Sequence, residues 1–220
     1  MPKIDTIIFD MDGVIVDSEP RHEQAFREVF REMGLGEDHG IDFSKYLGRS
    51  DRALWLDFMA LHKPRHTLEQ LTDWKQRRFL EIIAAEQPIF ETLPELVERL
   101  HEEYKLGLAS GSLHPVIDAV LAMKNLRQHF TAIVSVQDVE HGKPAPDIFL
   151  HAAELLESNP ARCCVIEDSE AGVAAACAAG MHVIAITNSL PPGRLAGARH
   201  VVNGYEEIDQ LLLGEPGQLR

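Results

Sequence analysis

The segment Ile7-Ile8-Phe9-Asp10-Met11-Asp12-Gly13-Val14 is a short apolar run that ends on two carboxylates two residues apart and then a glycine. An unbroken apolar stretch bounded by a turn signal is the pattern of a strand buried on both faces, as in a parallel sheet. The carboxyl ends of such strands open onto the binding crevice, so Asp10 and Asp12 would stand there with like charges close together. Such a pair needs a cation or a proton. A bound Mg²⁺ would let both stay ionised while one attacks phosphorus, since carboxylates serve as nucleophiles that form aspartyl-phosphates. Alone, the pattern is equally compatible with an Asp pair that caps a turn.

Three later segments repeat the arrangement. Leu106-Gly107-Leu108-Ala109-Ser110-Gly111-Ser112 is an apolar run that stops on small residues before a helix entered at Pro115. A hydroxyl with bare N–H groups at a helix entrance makes a phosphate cradle. In Gly142-Lys143-Pro144-Ala145-Pro146-Asp147 a lysine is pinned beside two prolines ahead of the amphipathic run Ile148, Phe149, Ala152, Leu155, Leu156. Proline stiffens the loop, so Lys143 is held where its charge could neutralise both a phosphate oxygen and an attacking carboxylate. Cys163-Cys164-Val165-Ile166-Glu167-Asp168-Ser169 is a further apolar strand ending on adjacent acids, followed by a small-residue helix that stops at Gly180. Carboxylates at 10, 12, 167 and 168 converging on one crevice near a lysine call for a divalent cation with oxygen ligands.

Taken in order, these motifs identify the chain as resembling the haloacid dehalogenase superfamily, in particular the phosphatases and phosphomutases similar to β-phosphoglucomutase. The resemblance rests on D-x-D-G-V at 10–14, Ser110, Lys143 and E-D-S at 167–169, and it spans essentially the whole chain. It implies Asp10 as nucleophile, Asp12 as general acid/base that also offers its backbone carbonyl to Mg²⁺, and Asp168 as a metal ligand with Glu167 in or beside the coordination shell. Ser110, Gly111 and Lys143 would bind phosphate. An Asp at position 12 sets the chain apart from the superfamily's metal-free dehalogenases and ion pumps, which leaves phosphomonoester hydrolysis or mutase transfer.

Period changes give the organisation. Strand-like runs at 105–109, 132–136, 163–167 and 182–187 alternate with helical runs at 92–103, 115–125, 146–157 and 170–179. That alternation predicts an α/β fold, a Rossmann-like parallel sheet with helices on both faces. Thr92 and Glu95 read as a capping box. Between 17 and 87 the strand pattern disappears: Ala25, Phe26, Val29, Phe30 and Met33 recur at helical spacing, as do Leu54, Trp55, Phe58 and Leu61. Thr67 and Gln70 read as a capping box opening a third helix through Leu71, Trp74, Phe79, Ile82 and Ile83. This is a helical insertion after the first strand, with its aromatics forming its own core, and it resembles the family's cap domain. The expected boundaries are 17–87 for the cap and 1–16 with 88–220 for the catalytic core.

The resemblance points to His22, Gly48 and Arg49 as cap residues that meet substrate, Arg49 by forking onto a distal phosphate or hydroxyls. Here the chain departs from the mutases, which carry a lysine just before the corresponding glycine; Leu47 stands there, with arginines at 49 and 52. A mutase must grip a second phosphate while the sugar turns over. Hydrolysis of a small phosphorylated metabolite, a sugar phosphate, is therefore the expectation; a β-phosphoglucomutase-type isomerase is the alternative, and a non-catalytic phospholigand-binding protein a third.

A formal charge of −14 argues against nucleic acid or an anionic membrane as the main partner. Three cysteines, 163, 164 and 177, in apolar or small-residue segments read as buried free thiols suited to a reducing cytoplasm. No apolar run approaches a membrane span, and a cytoplasmic monomer is the expectation.

Overall fold

The computed structural model describes residues 3–46 and 51–214. Strand β1 (Thr6–Phe9) is wholly buried and leads into helices α1 (Glu19–Glu32), α2 (Asp51–His62) and α3 (Leu68–Glu86). The α/β alternation then runs α4 (Leu93–Glu103), β2 (Lys105–Ser110), α5 (His114–Ala122), β3 (Ala132–Ser135), α6 (Asp147–Leu155), β4 (Cys163–Glu167), α7 (Glu170–Ala178), β5 (His182–Ile186), β6 (His200–Val202) and α8 (Tyr205–Leu213). Among the described residues the strands form one six-stranded parallel sheet in the order β3-β2-β1-β4-β5-β6.

That order decides where a ligand can bind. The chain steps from β1 out to β2 and β3 on one side, then returns to lay β4, β5 and β6 on the other. Right-handed crossovers in opposite directions put α4 and α5 on one face and α6 and α7 on the other. The helices consequently part above the carboxyl end of β1, and the crevice there is the switch point of the sheet. On the α6–α7 face, Phe149, Ala152, Val173 and Ala176 bury against Ile8, Val134, Val165 and Val183. Ala175 and Ala176 of α7 are buried in the same cluster.

Helices α1–α3 form a helical cap inserted after β1, and Ser18–Gln87 is a compact unit with its own core. Phe26, Phe30, Leu54, Trp55, Phe58 and Leu71 cluster there; Phe30 stacks on Phe58 with centroids 4.6 Å apart. Truncating a buried ring of this kind costs about 3–5 kcal/mol. The start of α3 is a true capping box: Thr67 Oγ1 accepts the Gln70 N–H at 3.2 Å and Gln70 Oε1 accepts the Thr67 N–H at 2.9 Å. Lys75 falls on the apolar stripe Leu71-Lys75-Phe79 and is fully buried. Its ammonium lies 2.7 Å from Asp51 Oδ2 and 5.0 Å from the ring centroids of Phe26 and Phe79.

Three expectations need correction. Thr92 does precede α4, but its backbone is helical (φ −87°, ψ −7°) and its side chain makes no cap bond; a capping hydroxyl must swing out from an extended residue to reach the N–H two or three positions on. The helix expected over 115–125 ends at Ala122, because Lys124 and Asn125 take positive φ of 52° and 54° and turn the chain into a tighter helical turn. Cys177 is exposed on α7, whereas Cys163 and Cys164 are buried free thiols. The short strand β6 and helix α8 were not anticipated, since a three-residue strand carries no readable period. No helix among the described residues is long and apolar enough to cross a membrane.

Candidate active site

Register brings the strand ends level. Phe9 pairs with Leu108 on one side and Ile166 on the other, and the Asp10 N–H donates to Ile166 O at 2.9 Å. Asp10, just past β1, and Glu167, the last residue of β4, are therefore neighbours across the switch point. Asp168 joins them: one carboxylate oxygen from each of the three lies within 4.8 Å of the others, and all three residues are buried.

Lys143 enters from the loop before α6. Its ammonium donates to Asp10 Oδ1 at 2.5 Å and to Glu167 Oε1 at 2.7 Å and lies 4.9 Å from the centroid of Phe149. The other oxygen of Glu167 accepts from the Asp168 N–H and Ser169 N–H, each at 2.8 Å, and from Ser169 Oγ at 2.9 Å. Glu167 thus ties the lysine to the positive end of α7. Gly172 makes room for it: a Cβ there would stand 1.6 Å from Glu167 Oε1.

The turn after β1 is built around Met11 O, which accepts the N–H groups of Val14, Ile15 and Val16 at 3.3, 2.7 and 3.1 Å. Gly13 has φ +77°, and a Cβ on it would lie 1.8 Å from Asp168 Oδ2; glycine serves both the turn and the approach of the acid. Asp12 is tied by its Oδ2 to Ser112 Oγ at 2.8 Å, and the Ser112 N–H donates to Ser110 Oγ at 3.0 Å. Ser110 is fully buried at the end of β2, with Gly111 exposed in the turn beyond.

A family model of haloacid dehalogenase-like hydrolases matches residues 4–180. The chain belongs to the haloacid dehalogenase-like hydrolases. It is 32% identical over 185 residues to the fructose-1-phosphate phosphatase YqaB of Escherichia coli, covering 81% of this chain and 94% of that one. To the β-phosphoglucomutase of Bacillus subtilis it is 31% identical over 219 residues, covering 95% and 93%. Among solved structures, the β-phosphoglucomutase of Clostridium difficile superposes with a TM-score of 0.75 at 25% identity, covering 94% of this chain and 96% of that one.

In this hydrolase the electrostatics of the crevice run against three ionised acids. Burial pushes the Asp10 carboxyl well above its ordinary range, against the pull of Lys143 and with Glu167, Asp168 and Asp12 adding to the rise. Burial, reinforced by Glu167, pushes Asp168 up to about 7 despite the Ser189 hydroxyl and Lys143. Burial opposes the charge on Lys143, yet Asp10 and Glu167 hold its ammonium above the usual lysine range. A set of oxygen donors this short of positive charge suits a hard divalent cation.

Sequence reasoning overlooked the loop after β5. Ser189 Oγ donates to Asp168 Oδ2, Asn188 Nδ2 donates to Gly13 O at 2.8 Å, and Tyr205 OH donates to Val14 O at 2.7 Å. The signal was available: Thr187-Asn188-Ser189 is a polar stop at the carboxyl end of an apolar strand, like the other site segments. In the cap, His22 Nδ1 pairs with Lys75 Nζ, and its ring stacks on Phe79 with centroids 4.0 Å apart. Gly48 and Arg49 lie outside the described residues.

Proposed function

We propose that this hydrolase is a Mg²⁺-dependent phosphatase of small phosphorylated metabolites, sugar phosphates foremost. The observation that carries the reading is the buried meeting of Asp10, Glu167 and Asp168 with Lys143 at the switch point of the sheet. The similarity to a fructose-1-phosphate phosphatase over 81% of the chain supports the substrate class.

An oxygen of Asp10 attacks phosphorus and forms the new P–O bond of an aspartyl-phosphate. The ester P–O bond breaks, its electron pair leaves on the sugar oxygen, and that oxygen takes a proton from Asp12. In the second half-reaction Asp12 takes a proton from water as the water oxygen attacks the same phosphorus. The acyl-phosphate P–O bond then breaks, returning the Asp10 carboxylate and inorganic phosphate. Lys143 favours the ionised form of Asp10 against the pull of burial and meets a phosphate oxygen. Ser110 accepts a backbone N–H in the structure, which leaves its own proton to donate, and the Gly111 N–H adds a second donor. Mg²⁺ held by Asp10, Asp168 and the Asp12 carbonyl, with Glu167 at its edge, would neutralise charge on the transferring phosphoryl group. Choice among esters we assign to His22, Gly48 and Arg49 of the cap, on the family resemblance.

A mutase reading is favoured by one observation, the similarity to a β-phosphoglucomutase over 95% of the chain. A phosphate-release screen over a metabolite panel, run beside conversion of β-glucose 1-phosphate to glucose 6-phosphate, separates the two. Free phosphate without isomerisation is expected. Isomerisation faster than phosphate release would replace the phosphatase with the mutase.

A further inference from the structure

The turn after β2 holds a serine to which no role has been given. Ser112 donates its hydroxyl to Asp12 Oδ2 at 2.8 Å. Its own peptide is fastened from two sides: the N–H donates to Ser110 Oγ at 3.0 Å, and the carbonyl accepts from Ser135 Oγ at 2.8 Å. Ser110 and Ser135 are both fully buried and stand opposite one another in the β2–β3 register. Ser135 is in turn held at its N–H by Asp138 Oδ2 at 2.8 Å. Two neighbouring strand ends therefore grip the backbone of Ser112, and only one side-chain torsion remains to be fixed when its hydroxyl meets Asp12. A turn serine facing water would have no need of two buried hydroxyls to place it.

We propose that Ser112 is the positioning residue for Asp12, holding that carboxyl group in the rotamer and plane from which it exchanges a proton with the ester oxygen. A carboxylic acid accepts a hydrogen bond best at its carbonyl oxygen, so the Ser112 bond to Oδ2 favours Oδ1 as the oxygen that carries and transfers the proton. In ester cleavage the P–O electron pair leaves on the ester oxygen and the Oδ1 proton follows it. In hydrolysis of the aspartyl-phosphate the same oxygen recovers a proton from water. Ser112 itself gains and loses nothing. The inference rests on the proposed role of Asp12, and it deepens that role by saying what aims it.

The consequence is selective. Alkyl and sugar phosphates have a poor leaving oxygen that needs the proton; a p-nitrophenolate leaves without one. Values of kcat/KM report the steps up to ester cleavage, so the ratio of the two substrates reads Asp12 placement and cancels changes in folding or phosphate grip. In Ser112→Ala, kcat/KM for a sugar phosphate should fall by about 10- to 100-fold while that for p-nitrophenyl phosphate changes by less than about threefold. Ser112→Thr, which keeps a hydroxyl at the same place, should restore most of the ratio. Equal losses on both substrates, or no loss on either, would overturn the assignment of Ser112 and leave the phosphatase reading standing. A wild-type protein that releases phosphate from neither ester would overturn the phosphatase reading and this inference together.

Discussion

Asp10 carries opposed demands: its site is dry enough to disfavour its charge, and its task requires that charge. Lys143 at 2.5 Å pulls against that penalty without cancelling it, and the same ammonium spans Glu167 at 2.7 Å. Asp10→Asn keeps the shape and removes the nucleophile, so phosphate release should fall by more than about a thousandfold while the far-ultraviolet circular dichroism stays that of the wild type. Near-native turnover in that variant would remove Asp10 from the mechanism. Gly172 offers a subtler test, because no chemistry is asked of it. A methyl group there would collide with Glu167 Oε1 at 1.6 Å, in a side chain fixed by four hydrogen bonds. Glu167 cannot yield without releasing Lys143 or the first turn of α7. Gly172→Ala should therefore destabilise the fold by about 1–3 kcal/mol in urea titration and also lower activity. A wild-type urea midpoint would show that Glu167 has room to move.

Elements whose signal is local and chemical were legible from the chain alone. Runs such as Cys163–Glu167 declared themselves as buried strands because every side chain is apolar until the acid that faces the crevice. The cap helices were legible through the spacing of residues such as Phe26, Phe30 and Phe58, which form one core. What escaped depends on contacts made elsewhere in the sequence. Ser135 is an unremarked strand-end serine until β2 and β3 are paired, when its hydroxyl reaches Ser112; Ser189 becomes a partner of Asp168 only once β5 lies beside β4. Helix ends failed for a backbone reason. Thr-Leu-Pro-Glu at 92–95 has the residues of a capping box, yet the helical φ/ψ of Thr92 keeps its hydroxyl away from the free N–H groups. The two threonines make a matched experiment. Thr67→Ala should lower stability by about 1 kcal/mol because both bonds of its box are formed, whereas Thr92→Ala should lie within about 0.5 kcal/mol of wild type. Chemical denaturation of the two variants measures the contrast, and equal losses would mean that the capping bond at Thr67 contributes nothing.

At the scale of the molecule, a chain of net charge −14 places three acidic side chains in its interior beside one lysine, and folding stability must follow their protonation. The ordinary carboxyl value for aspartate is 3.8, and in the folded protein burial with Glu167 pushes Asp168 up to about 7. Asp10 moves the same way. Between these values the folded protein binds protons that the unfolded chain has released, so stability falls as pH rises. The Asp168 contribution is fully present below about pH 4 and gone above about pH 7. Buried His39 and half-buried His182 and His200 are lowered from 6.5, first by desolvation, and work in the opposite sense as pH falls through 6.5. Comparison with Asp168→Asn removes their effect, because the histidines are common to both proteins. In chelator, wild type minus Asp168→Asn should lose roughly 2–4 kcal/mol between pH 5 and pH 8. Adding Mg²⁺ at pH 8 should raise the wild-type melting temperature, since a cation that binds only the folded state stabilises it by about 2.7 kcal/mol at a hundred times its Kd. The same addition at pH 5 should do much less, because protons then occupy the oxygens the cation needs. Thermal melts at the two pH values, with and without Mg²⁺, give all four terms. A difference curve that is flat or rises with pH would mean that burial does not raise the Asp168 carboxyl in the folded protein.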